Sequence, residues 1–382
     1  MRPWTHSIFA EMSELAARTG AVNLGQGSPD GGAPSELVEA AVAAMRAGHH
    51  QYPPGPGLAS LRSAVADHQA RHYGLDVDPV EGVVVTMGAS EALVAAVLAF
   101  CEPGDEVLTF EPWFDLYGAA IALAGAVRRT VALRPDPSGG RYTFDHDELR
   151  AAVTPRTRLL LLNTPHNPTG KVFDELELAE VARVCREAGL LAVTDEVYEH
   201  LTFDGRPHIP LAALPGMAER TVTVSSAGKT FSVTGWKVGW ASGPPQLIGA
   251  VRAVKQHLTY SGGTPFQHAI AAVLGDDDRL VAGLRSTLQG RRDRLCEGLD
   301  RAGFTVHRPE GTYFVTADAA PVGATDGRSF CLELPERAGV VAVPNEVFYD
   351  DPATGRTLVR FACCQRDEVV HEAVRRLVAA FG

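Results

Sequence analysis

The stretch TVTVSSAGKTFSVTGWKVGW, residues 221–240, begins with β-branched residues and then breaks into small and polar ones. The first six read as a buried strand, and SSAGKT reads as the turn that ends it. In open parallel sheets ligands gather outside the carboxyl ends of the strands. Lys229 stands three residues past Ser226 at such an end, and Lys237 follows eight later. A lysine held in a cleft there can lose its proton and become a nucleophile. A solvated lysine, the commoner case, stays charged.

Reading outward, the middle of the chain alternates apolar runs with helical patterns, as βαβ units do. VVVT (83–86), EVLTF (106–110), RLLLLN (158–163) and LLAVTD (190–195) read as strands. RLLLLN is almost wholly apolar, as a strand covered on both faces should be. SEALVAAVLAF (90–100) and QLIGAVRAVKQHL (246–258) read as helices. Asp174 with Glu177 forms a capping-box pattern, and Leu178, Val181, Ala182 and Cys185 recur at helical spacing before Gly189. The C-terminal third differs. A helix over 285–303 leads to FTVHRPEGTYFV, LVRFAC and a last helix with Val370, Val374, Leu377, Val378 and Phe381 on one face. This predicts an α/β protein with a mostly parallel sheet and a smaller α+β domain.

Composition narrows the function classes. The chain has 382 residues, enough for two domains, and a net charge of −11, so no nucleic-acid partner is expected. No apolar run approaches the roughly 18 residues of a membrane span. The first 20 residues lack the basic-then-apolar layout of a signal peptide, so a cytoplasmic location is expected. None of the six cysteines forms a C-x-x-C pair, and no metal site is expected. Only four lysines occur: Lys171, Lys229, Lys237 and Lys255. Lysine chemistry must use one of them, and Lys171 and Lys255 read as surface or helix-face residues.

Four strands run into polar turns: TMGAS, NTPHNPTG, TDEVY and SSAGKT. Gly88-Ala89-Ser90 starts a helix, where free N–H groups and the dipole favour a phosphate; an N-cap alone would read the same. Neither G-x-x-x-x-G-K-[ST] nor a post-strand G-x-G-x-x-G occurs, so nucleotide triphosphates and dinucleotides are poor candidates. Asp195 ends an apolar strand, where a carboxylate is costly unless paired.

NLGQGSPD (23–30), QYPPGPG (51–57), EPWFDLY (111–117), NTPHNPTGKV (163–172), TDEVYEHL (194–201), SSAGKTFSVTGWKVGW (225–240) and VRFACCQRD (359–367) carry a family resemblance. Together they resemble the class I aminotransferases of fold type I, in the kynurenine/glutamine transaminase-like branch with the bacterial N-succinyldiaminopimelate and methionine aminotransferases. The resemblance implies pyridoxal 5′-phosphate, an amino acid and a 2-oxo acid as substrates, ping-pong transfer and a homodimer with shared sites. It implies that Lys229 binds the cofactor covalently and then acts as base, that Asp195 pairs with the ring nitrogen, and that Tyr198 and Asn167 bond the phenolic oxygen. Phe114, in preference to Trp113, would stack on the ring. Ala89, Ser90, Ser226 and Lys237 would hold the phosphate, with Tyr52 reaching it from a partner subunit. Arg360 would clamp the substrate α-carboxylate, aided by Asn167 and a backbone N–H near Gly27.

One position departs from the pattern: Ser28 stands where relatives commonly carry phenylalanine, which predicts a wider, more polar pocket. The expected domains are residues 43–280, and residues 1–42 with 281–382. A carbon–sulfur β-lyase acting on cysteine conjugates remains an alternative, because the same carbanion at Cα can expel a β-leaving group.

Overall fold

The computed structural model describes residues 7–135, 140–275 and 278–382. The first six residues of the expected N-terminal segment lie outside them. Helix α1 (Ile8–Thr19) starts where the Ser7 hydroxyl accepts the Phe9 N–H, and it closes on left-handed Gly20. Strand β1 (Val22–Asn23) follows, then α2 (Ser35–Arg46) and α3 (Ala59–Tyr73). The large sheet begins with β2 (Val83–Met87), which leads directly into α4 (Gly88–Phe100). Next come β3 (Glu106–Glu111), α5 (Asp115–Leu123) and β4 (Val127–Ala132). A small pairing of β5 (Arg134–Pro135) with β6 (Tyr142–Thr143) and the short α6 (His146–Ala151) precede β7 (Thr157–Asn163). Helix α7 (Glu175–Ala188) carries the capping box read from Asp174 and Glu177, and it ends on left-handed Gly189. Then come β8 (Leu191–Asp195), β9 (Thr221–Ser226), α8 (Ala227–Thr230), β10 (Val238–Ser242), α9 (Pro245–Leu258) and α10 (Thr264–Leu274).

The seven strands lie in the order β2-β10-β9-β8-β7-β3-β4. All run parallel except β10, which is antiparallel to both of its neighbours. Alternate residues feed opposite cores. Leu159, Leu161 and Val193 face α4 and α5, whereas Leu160, Leu162 and Ala192 face α7. The register puts Asn163 beside Asp195, and Ser226 beside Gly239. Because β10 runs backwards, its start lies on the edge where β2, β8 and β9 end. Lys237 therefore meets Asp195 and Lys229 at one rim.

The C-terminal part comprises α11 (Asp278–Arg301), β11 (Thr305–His307), β12 (Phe314–Asp318), α12 (Gly327–Ala338), β13 (Val340–Val341), β14 (Val343–Pro344), β15 (Leu358–Ala362) and α13 (Asp367–Phe381). Its four-stranded sheet has the order β11-β12-β15-β14, and β13 pairs with β1 of the N-terminal segment. A division at 42/43 falls inside α2, whose Leu37 and Ala41 pack with Leu61 and Ile270 of the large unit. A division at 280/281 falls inside α11: Val281 joins the large unit's core, and Leu288, Leu295 and Leu299 join the small unit's. We propose that the N-terminal boundary lies between β1 and α2 and the other within the first turns of α11.

Lys171 lies neither at the surface nor on a helix, which corrects the sequence reading, whereas Lys255 lies on helix α9, as read, but on its buried side. Lys171 and Lys255 are both buried. Lys171 pairs with Glu177 at 2.5 Å and donates to the Tyr142 carbonyl, and Lys255 donates to the Gly55 carbonyl at 2.8 Å. Such partners make a buried ammonium tolerable, and they cannot be seen in a linear pattern.

Candidate active site

A cavity of about 330 Å³ opens at the rim of the large sheet, between it and the small domain. Gly27, Ser28, Ala89, Ser90, Phe114, Asn167, Asp195, Tyr198, Ser226, Lys229, Lys237 and Arg360 all line it. Tyr52 does not: it is 79% exposed in a loop, edge-on to Tyr260.

Each side chain is placed by the end of an element. Asp195 is the last residue of β8, where its Oδ2 accepts from the Tyr117 hydroxyl at 2.6 Å. Burial is the main force on its carboxyl and pushes it up to about 6 against the Tyr117 hydrogen bond. Asn163 ends β7. Its amide donates to the Asp195 carbonyl, and its oxygen accepts the Asn167 N–H at 2.6 Å, which fixes the loop carrying Asn167. Lys229 lies in α8, with Nζ 3.0 Å from the Tyr313 hydroxyl. Burial is the largest force lowering its amine; Arg360 and Lys237 add to it, and Cys364 and Asp195 oppose it. A lowered amine is the form a carbonyl needs in order to be attacked.

The phosphate-like corner is built from backbone as much as from side chains. Ala89 and Ser90 open α4, whose N–H groups and dipole favour an anion. Lys237 adopts a left-handed conformation (φ 55°) just before β10. A Cβ on Gly239 would come within 2.5 Å of the Ala89 nitrogen and the Gly88 carbonyl carbon, so only glycine lets β10 approach α4 this closely.

Arg360 projects from β15, 1% exposed. One terminal nitrogen donates to the Asn167 side-chain oxygen and the other to the Gly25 carbonyl, both at 3.1 Å. Its Nε has no hydrogen-bond partner, and among the described residues no carboxylate lies within ion-pair distance. Burial brings this guanidinium down to about 10, and the Phe314 ring lies 4.0 Å beneath it. A buried cation without an anion calls for an anionic ligand. A Cβ on Gly27 would meet the Phe314 ring at 2.5 Å, so that loop must be glycine to lie over the cavity.

The model of the family described as aminotransferase class I and II matches residues 19–377. The probable N-succinyldiaminopimelate aminotransferase DapC of Mycobacterium tuberculosis is 53% identical over 386 residues, covering 99% of this chain and 96% of that protein. The methionine aminotransferase of Escherichia coli is 37% identical over 371 residues, covering 97% and 95%. The solved structure of N-succinyldiaminopimelate aminotransferase from M. tuberculosis superposes with a TM-score of 0.97 over 99% of this chain and 98% of that one, at 53% identity. The chain belongs to the class I and II aminotransferases. Its fold is that of the fold type I enzymes, and its cofactor is pyridoxal phosphate.

The donor set of this aminotransferase fits that cofactor. Two hydroxyls, an ammonium and a helix N-terminus match a phosphate. The amine of Lys229 matches an aldehyde, and the buried carboxylate of Asp195 matches a ring nitrogen. Three contributors carried no role in the sequence: Tyr117 on Asp195, Tyr313 on Lys229, and Asn163 under Asn167. Tyr117 sits one helical turn past Phe114, a spacing from which a shared face could have been read. Tyr313 comes from the other domain, and no local signal marks it. Among the described residues no helix is long and apolar enough to cross a membrane.

Proposed function

We propose that this aminotransferase takes its amino group from a long, polar donor of the N-succinyldiaminopimelate type and passes it to a 2-oxo acid. The observation that carries this reading is the buried Arg360 guanidinium, without an anion, beside a cavity lined at position 28 by serine rather than a bulky ring. The arginine accounts for an α-carboxylate, and the small hydroxyl leaves space and polarity for the rest of the donor.

Bound in the cavity, pyridoxal phosphate supplies a carbonyl for the donor's amine and a protonated ring that accepts the electron pair released at the donor's Cα. Asp195 holds the proton on the ring nitrogen, and Tyr117 keeps that carboxylate in place. Lys229 anchors the cofactor and, once its amine is free, takes the proton from Cα. Tyr198 and Asn167 bond the phenolic oxygen, and Phe114 covers the ring. Ser90, Ser226, Lys237 and the Ala89 N–H hold the phosphate. Arg360 with Asn167 orients the donor's carboxylate, the Gly27 loop closing above it. Tyr52 reaches the phosphate of a second subunit in a homodimer.

Half-reactions across a panel of amino donors test the substrate. N-succinyl-LL-diaminopimelate should discharge the cofactor's absorbance fastest, with kynurenine slow. Ser28→Phe should move the kcat/KM ratio toward the aromatic donor by a factor equivalent to about 1–3 kcal/mol. A kynurenine preference in the wild type would overturn the reading. The relatives described above are named for transamination, so the β-lyase alternative is not favoured.

A further inference from the structure

Away from the cavity, three imidazoles converge where α3 meets the turn after β8. His68 and His72 are four residues apart on α3 and so share a face. His200 comes from the turn that carries Tyr198 and Glu199. One ring nitrogen of each lies within 4.8 Å of the other two, and the Nε2 atoms of His68 and His200 are 2.8 Å apart. The rings are mutually tilted, by 48° for His68–His72, 85° for His68–His200 and 70° for His72–His200, with centroids 4.5, 4.9 and 5.1 Å apart. Tilted rings can turn nitrogen edges toward a common point, which parallel stacked rings do not. A hydrogen bond between two like nitrogens needs opposite tautomers, whereas a shared cation lets both act as electron-pair donors.

The surroundings suit a cation. Glu199 is buried beside His200 and accepts from the Tyr73 hydroxyl at 2.7 Å and from Ser225. A buried carboxylate held by two hydroxyls thus lies behind the imidazoles. His68 and His200 are buried, while the His72 side chain is 21% exposed and leaves a way in. On that open side the Asp278 carboxylate lies 3.5 Å from His72 Nε2. Arg71 opposes a cation there: it lies 3.3 Å from His72 Nε2 and is tied to the carbonyls of Leu274 and Gly275.

We propose that His68, His72 and His200 form a binding site for a divalent transition metal of the zinc and cobalt class, which pins α3 to the turn bearing Tyr198. Three imidazoles select such ions over magnesium or calcium. Zinc or cobalt would take the three imidazole nitrogens, now within 4.8 Å of one another, at about 2.0–2.1 Å in a tetrahedral arrangement, and the fourth position would fall to water or Asp278. The ion is structural: it stiffens a turn that also lines the cavity. The site does not depend on the substrate reading.

The test is a Co²⁺ titration of tag-free, chelator-treated holoenzyme, read as a difference spectrum. One equivalent per chain should bind with ligand-field bands, be displaced by Zn²⁺ and raise the unfolding temperature. His72→Ala should weaken binding at least about tenfold while keeping the fold and transamination. His200→Gln should do the same, and the control His257→Ala, at an exposed helix end, should bind like the wild type. Absence of stoichiometric Co²⁺ binding by the wild type, or equal binding by His72→Ala, would overturn the proposal.

Discussion

Burial pushes the Asp195 carboxyl up to about 6, although the Tyr117 hydroxyl and the Lys229 amine work the other way. In the unfolded chain such a group titrates at about 3.9. The folded apoenzyme therefore binds an extra proton between those values, and its stability falls as pH rises through that window. Below roughly pH 4 the group is protonated in both states and the cost is absent. Asp195→Asn should accordingly stabilise the apoenzyme at pH 7, by about 1–3 kcal/mol, and have little effect below pH 4. Urea unfolding at both pH values measures this, and equal stabilities at pH 7 would contradict it. In the holoenzyme the same change should slow transamination by about 10²–10³-fold, as when one preorganised electrostatic partner is removed. Arg360→Lys should keep the charge and lose the planar fork, costing about 1.5–3 kcal/mol in kcat/KM for every α-amino acid donor. An effect confined to one donor would place Arg360 elsewhere. That Lys229, Asp195, Asn167, Tyr198 and Arg360 gather at one cavity was legible because each stands in a motif at a strand end or within a strand. Tyr313 and Asn163 were not, because their roles are contacts to residues distant in sequence or hidden beneath a loop.

At the scale of elements, the seam between β10 and the start of α4 is set by one glycine. Gly239→Ala would press its methyl into the backbone of Gly88 and Ala89. The variant should lose about 1–3 kcal/mol of stability and release cofactor more readily on dialysis. Gly249→Ala on α9, where an added methyl meets nothing within 4 Å, should instead be neutral or slightly stabilising. Equal cofactor retention by the two variants would mean that α4 does not cradle the phosphate. Strand β9 was read to its observed ends because β-branched residues alternate there without interruption. Strand β10 was not read as a strand: VGWAS is short, contains a glycine and follows a left-handed lysine. Its antiparallel direction depends on its partners and not on its own residues. Strand β4, VRRTVA, lies at the sheet edge with its first four residues exposed or half-buried, and so lacks the apolar run that revealed its neighbours.

At the scale of the whole molecule, Tyr52 is the one proposed site residue that the single chain leaves outside the cavity. In the homodimer proposed above it would reach the other chain's phosphate. Sedimentation should show a dimer at assay concentration. Hybrids of Tyr52→Phe with Lys229→Ala should recover one site of wild-type cofactor affinity, since the inactive chain still lends its tyrosine. If hybrids bind no better than Tyr52→Phe alone, the tyrosine acts within its own chain. The two-part architecture was legible from the change of pattern after the last βα unit. The boundaries were less so, because α2 and α11 continue across them and their allegiance is decided by packing.

The chain's four lysines allow the central assignment to be tested in one map. Lys171 and Lys255 are engaged in buried contacts, and Lys229 and Lys237 share the cavity. Borohydride reduction of the holoenzyme, followed by digestion and mass spectrometry, should place the pyridoxyl group on Lys229 alone. The same group on Lys237, Lys171 or Lys255 would contradict the account.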